Sequence, residues 1–165
     1  MKKIILSLFA IFCGFAFSIT PASAQYSDIS KAQTGLRKTP LSIVSMSGKH
    51  EFTVEIADTF AKQEIGLMWR TQMADNAGML FDYAKTPHKM AFWMRNTVIP
   101  LDIIYISPKG KIISISANAI PFDETPLWSN GIAAGVLEIN GGLSKKLGIR
   151  VGDYVYHPIF KNARK

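Results

Sequence analysis

Cysteine is almost absent from the chain: it occurs once, at Cys13, inside an N-terminal apolar run. Past that run there can be no disulfide, thiol nucleophile, thiolate metal site or redox exchange. Histidine is scarce as well. His50, His88 and His157 are the full set, with no H-x-x-H or H-E-x-x-H spacing to suggest a zinc centre. No apolar run after the first 24 residues reaches the ~18 positions of a membrane-spanning helix. Internal repeats and low-complexity blocks are missing too. The basic excess, +7 over 165 residues, is modest and scattered. Its densest groups are Arg37-Lys38, Lys145-Lys146 and the tail from Lys161 to Lys165, whereas nucleic-acid binding wants basic residues clustered on one element with stacking aromatics between them. A nucleic-acid partner is therefore not expected.

What is present begins with an address. Lys2 and Lys3 form a basic start, Ile4 to Phe17 an apolar stretch, and Ala22-Ser23-Ala24 an A-x-A cleavage site. The pattern predicts a signal peptide over 1–24, cut between Ala24 and Gln25, and a periplasmic or secreted product. Phe12 before Cys13 is too large for a lipoprotein signal, so no lipid anchor is expected.

The remaining residues, 25–165, suffice for one hydrophobic core, and a single-domain monomer is expected. Residues 25–40 are polar and aperiodic and read as a flexible arm, 41–160 as one domain, 161–165 as a basic tail. Leu41 to Ser45 and Phe52 to Ala57 flank Ser47-Gly48-Lys49-His50, which predicts a hairpin. Asp58 and Thr59 offer a helix N-cap, and Ala61, Ile65, Met68 and Trp69 fall on one helical face. Gly66 interrupts that helix and predicts close backbone packing. Further strands are predicted at Met79 to Tyr83, Met90 to Arg95, Leu101 to Ser107, Ile112 to Ile120, Ile132 to Ile139 and Tyr154 to His157. Ser107-Pro108-Lys109-Gly110 reads as a tight turn, and Leu143 to Leu147 as a short helix closed by Gly148. About eight short strands with two small helices make the fold mainly β, a compact antiparallel sandwich or barrel.

Five motifs in order carry a family resemblance: GLMWR (66–70), GMLFDY (78–83), FWMRNTVIPLDIIYI (92–106), VLEINGG (136–142) and LGIRVGD (147–153). Together they resemble the bacterial and archaeal family called domain of unknown function 192, over about Val44 to Phe160. The resemblance implies a compact, mainly β domain and no particular reaction. Many members carry Glu-Arg before the first glycine, where this chain has Lys62-Gln63.

Three sets of residues are chemical candidates. Arg95-Asn96-Thr97 interrupts an apolar run and is placed at a strand end by Pro100. In one reading Asn96 and Thr97 hydrogen-bond a turn while Arg95 pairs with Asp102 or Glu138. In the other, Arg95 offers its fork to an anionic or carbonyl-bearing ligand, with Asn96, Thr97, Asp102 and Glu138 nearby and Trp93 as a wall. The carboxylates also allow a hydrolase using Asp102 or Glu138. Finally, the H-x-M triplet His88-Lys89-Met90, in a methionine-rich stretch, suits Cu(I), although methionine more often fills core gaps. The leading expectation is non-catalytic binding of a small ligand or an envelope partner at the Arg-Asn-Thr rim, with no cofactor.

Overall fold

A computed structural model describes residues 30–163. The expected signal peptide over 1–24, with its Ala24–Gln25 junction, lies outside the described residues, as does the end of the basic tail. The fold is mainly β. A hairpin of β1 (Lys38–Ser45) and β2 (Gly48–Ala57) opens it, followed by α1 (Phe60–Ile65), β3 (Ala77–Asp82), β4 (Ala91–Phe92), β5 (Leu101–Ile106) and β6 (Ile112–Ala119). The chain ends with β7 (Leu127–Trp128), β8 (Gly135–Asn140), α2 (Leu143–Lys146), β9 (Tyr154–Tyr156) and a 3₁₀ turn at Pro158–Phe160. Seven strands form one sheet in the order β6-β5-β8-β3-β2-β1-β9, and β4 pairs with β7 alone. Every pairing is antiparallel except β2 with β3, which α1 joins as a parallel crossover. The sheet curls into a half-barrel. Its edge strands meet at one end, where Lys111 bridges Tyr154 and the Ile112 amide donates to the Asp153 carbonyl at 2.8 Å.

Strands β3, β5 and β8 are covered on both faces, so they read as nearly unbroken apolar runs. Leu80, Ile104, Ile106, Leu137 and Ile139 point to a first core inside the curl, which Leu143 and Phe160 help to fill. Their alternates, Met79, Phe81, Ile103, Tyr105 and Val136, point to a second core on the outer face. Leu67, Met90 and Met94 cover it. The outer series includes one charged position. Glu138 pairs in register with Met79 on one side and Ile103 on the other, so its side chain enters the second core's face. Gly78 keeps β3 close to β8 there: a Cβ at this glycine would lie 2.7 Å from the Glu138 carbonyl oxygen.

Several elements differ in extent from the sequence expectation. The helix stops at Ile65 because Gly66 takes φ +52°, so Met68 and Trp69 lie beyond it. The expected close packing at Gly66 is present, with the Phe81 ring 3.1 Å from where a Cβ would stand. The strand expected over Met90 to Arg95 shrinks to Ala91–Phe92, since its partner β7 is only two residues long and the chain turns at Asn96. The segment expected as an arm is used within the fold: β1 begins at Lys38, and Gln33 Nε2 donates to the carbonyls of Lys62 and Gly66 at 2.9 and 2.8 Å. At the family's Glu-Arg position, Lys62 pairs with Asp58 at 2.6 Å, and Gln63 donates to the Ala57 and Asp82 carbonyls.

Candidate functional site

The interrupting triplet divides its work. Met94 to Thr97 form a turn: the Thr97 amide donates to the Met94 carbonyl at 3.0 Å, and Thr97 Oγ1 donates to the Arg95 carbonyl at 3.2 Å. Asn96 takes the left-handed conformation (φ +55°), which asparagine tolerates better than most residues. Its carbonyl accepts the Trp69 amide at 2.8 Å, and its side-chain amide donates to Met68 Sδ at 3.7 Å. These bonds hook the turn onto the segment after α1. Arg95 stays exposed, and among the described residues it makes no ion pair.

This turn forms one side of a cleft of about 450 Å³. Phe60 and the residues down to Met68 form the opposite side, and the outer face of the sheet supplies the floor through Phe81 and Glu138. Trp93, Arg95, Thr97 and Glu138 all line it. Four of the six proposed ligand-binding residues are therefore brought together. Asn96 shapes the turn instead.

Asp102 is elsewhere. Along β5 it alternates with Leu101 and Ile103, so it faces away from the cleft side of the sheet. Fully buried, it accepts three backbone amides: Asn118 and Gly142 on Oδ1 at 2.7 and 2.8 Å, and Ser144 on Oδ2 at 2.7 Å. Its carboxylate caps α2 from a distant strand, which a helix opening on glycine cannot do for itself. The expectation that Asp102 orients Arg95, or serves as a hydrolytic acid beside Glu138, is corrected: the two carboxylates lie on opposite faces, and both Asp102 oxygens are engaged.

Glu138 is the unusual group. It is 4% exposed, and among the described residues no donor hydrogen-bonds its side chain. Burial in apolar surroundings pushes its carboxyl up to about 8. Burial and the nearby Glu138 carboxylate raise the Tyr83 phenol to about 12. The Tyr105 phenol, which donates to the Leu127 carbonyl, is raised as well, chiefly by burial and against a lowering hydrogen bond with the Phe92 backbone.

Aromatic rings surround this acid, and sequence reasoning singled out only Trp93 among them. Phe92 meets Phe81 edge-on at 4.9 Å between centroids and Tyr105 at 6.0 Å. Tyr83, Phe92 and Phe60 line the cleft with Trp93. Phe60 and Trp93 are exposed, at 80% and 52%. The motifs GMLFDY and FWMRN held the signal: each puts aromatics at alternate or adjacent positions beside a polar residue.

The copper candidates separate. Met90 is buried in the second core, whereas His88 is exposed, with Nδ1 2.7 Å from the Thr86 carbonyl oxygen and its ring edge-on to Tyr83. Met68, Met79 and Met94 are buried too, as gap-filling methionines would be. Among the described residues no group of three or more His, Cys, Asp or Glu is placed to hold a metal ion.

A curled half-barrel with an aromatic cleft on its outer face defines a mainly β domain. The chain belongs to the family DUF192, described as Uncharacterized ACR, whose model matches residues 42–157. It is similar to a crystal structure of a protein of unknown function from Novosphingobium aromaticivorans DSM 12444, at 48% identity and a TM-score of 0.73, covering 75% of this chain and 88% of that one. It is also similar to a structure from Sinorhizobium meliloti 1021 described as a conjectured transcription regulator. That likeness has 37% identity and a TM-score of 0.73, and covers 78% of this chain and 99% of the other. No curated protein matches the chain.

Proposed function

We propose that the cleft between α1 and the Trp93–Thr97 turn binds a small ligand without transforming it. The observation that carries this reading is Glu138: a carboxyl group almost wholly buried at the cleft floor, with no donor from the described residues. A carboxyl group this buried costs stability, most of all when ionised, and a ligand that brings a donor or a cation to it recovers part of that loss. Arg95 at the mouth supplies a second, solvent-facing anchor. The volume falls within the roughly 300–1,000 Å³ range of small-molecule sites. An N-terminal signal pattern supports export, so the ligand is one met in the periplasm or outside the cell.

A hydrolase reading draws support from the raised Glu138 carboxyl, which has the character of a general acid. Its second carboxylate would be Glu64, exposed at the cleft mouth. Asp102 takes no part. A transcription-regulator role, described only for the Sinorhizobium protein, draws no support from a groove-reading helix, because the longest helix among the described residues has six residues.

Amide and indole NMR shifts recorded while a fragment collection is added test the binding reading. Shifts clustered at Trp93, Arg95 and Glu138, and reduced in Arg95→Met, support it. Shifts scattered over the surface, or none, remove it. Turnover of a bound fragment, abolished in Glu138→Gln, would replace binding by hydrolysis.

A further inference from the structure

We infer that the cleft takes a zwitterion, an organic ammonium ion seated on Glu138 among Phe60, Phe81, Tyr83, Phe92 and Trp93, with an anionic group of the same molecule on Arg95. The inference rests on the binding reading above and names its ligand class. Two observations carry it. First, five aromatic side chains line one cleft with a buried carboxyl that has no donor from the described residues. Ring faces attract cations, most strongly where water is excluded, and a buried carboxylate is stabilised by a cation that arrives with the ligand. Second, Arg95 and Glu138 line the same cleft and do not pair with each other. The cleft is thus polarised, with its acid on the floor and its guanidinium at the mouth. A simple anion would satisfy Arg95 and meet a carboxyl within, while a simple cation would leave the mouth unused. A molecule with positive and negative ends matches both, since the planar guanidinium fork suits a carboxylate.

Seating the ammonium group ionises Glu138, and the displaced proton leaves to solvent. The groups facing Glu138 are Tyr83 and Tyr105, whose raised phenols stay neutral, with Arg95 and Glu64 at the mouth. Affinity is therefore expected to rise about tenfold per pH unit up to about 8 and level off above it.

Isothermal titration of the purified protein with matched pairs tests the inference. Glycine betaine is compared with its carbon isostere 3,3-dimethylbutanoate, and 6-aminohexanoate with hexanoate, at pH 8. At least one ammonium member is expected to bind tenfold or more tighter than its isostere. Between buffers of different ionisation enthalpy the heats should report proton release at pH 7. Glu138→Gln should erase the preference for the ammonium member, and Arg95→Met should weaken binding of that member tenfold or more. Equal binding within both pairs overturns the zwitterion while leaving the cleft a binding site. No binding by either pair, in protein whose cleft takes up other fragments, also overturns it. A cleft that takes up nothing removes both readings.

Discussion

Asp102 Oδ2 accepts the Ser144 backbone amide at 2.7 Å across 42 positions of sequence, fastening the start of α2 to strand β5. Two further amides, from Asn118 and Gly142, share the same carboxylate. This side chain joins β5, β6 and α2, and its work is architectural.

Asp102→Ala should therefore destabilise the fold by roughly 2–3 kcal/mol, because the buried Ser144 amide left unpaired costs about 1–3 kcal/mol and the part-buried Asn118 and Gly142 amides each lose a bond. Urea unfolding of the two proteins measures the difference. A loss below about 1 kcal/mol would mean that water or neighbouring groups replace the carboxylate.

Arg95→Met should behave in the opposite way. The side chain is exposed and makes no ion pair among the described residues, so stability should change by no more than about 0.5 kcal/mol. Thermal melting checks this. A large drop would make Arg95 part of the scaffold and take away the anchor at the cleft mouth.

Much of this arrangement was legible from local pattern. Ser47-Gly48 marked the opening hairpin, Ser107 to Gly110 the β5–β6 turn, and Gly66 a point of close packing, though not its partner Phe81, because turn chemistry and glycine act over a few residues. Glu138 stood out as an acid in an apolar strand. The role of Asp102 was not legible, since its three partners lie 16, 40 and 42 residues away. Nor was the face on which each acid falls: that depends on β5 and β8 being adjacent, with Asp102 opposite Ile139. Met90 to Arg95 alternated like a strand, yet strand formation needs a partner, and β7 offers two residues. The aromatic walls come from α1, β3, β4 and the residues just after them: the crossover sets α1 beside β3, and Phe92 meets Phe81 between the two sheets.

Glu138 should make stability depend on pH. Its carboxyl rises from an ordinary 4.5 to about 8 on folding. Between those values the folded state keeps a proton that the unfolded chain releases, so stability falls as pH rises through this window, by at most ~1.4 kcal/mol per unit. Above about 8 the loss levels off. Burial holds His157 below its ordinary value, so its contribution is present above 6.5 and lost on acidification, and subtracting the curve of Glu138→Gln cancels it. The variant should gain on the wild type steadily from pH 5 to pH 8, as followed by urea unfolding. Parallel curves would mean that Glu138 is solvated or paired.

The proposal turns on a buried carboxyl group at the cleft floor with no donor among the described residues, and the most direct measurement is the NMR titration of the Glu138 side-chain carboxyl carbon, free and with whichever of glycine betaine and 6-aminohexanoate binds. The account predicts a midpoint near 8 in the free protein and a fall of at least one unit when the ammonium ion is seated. A free-protein midpoint near 4.5, unchanged by the ligand, would contradict it.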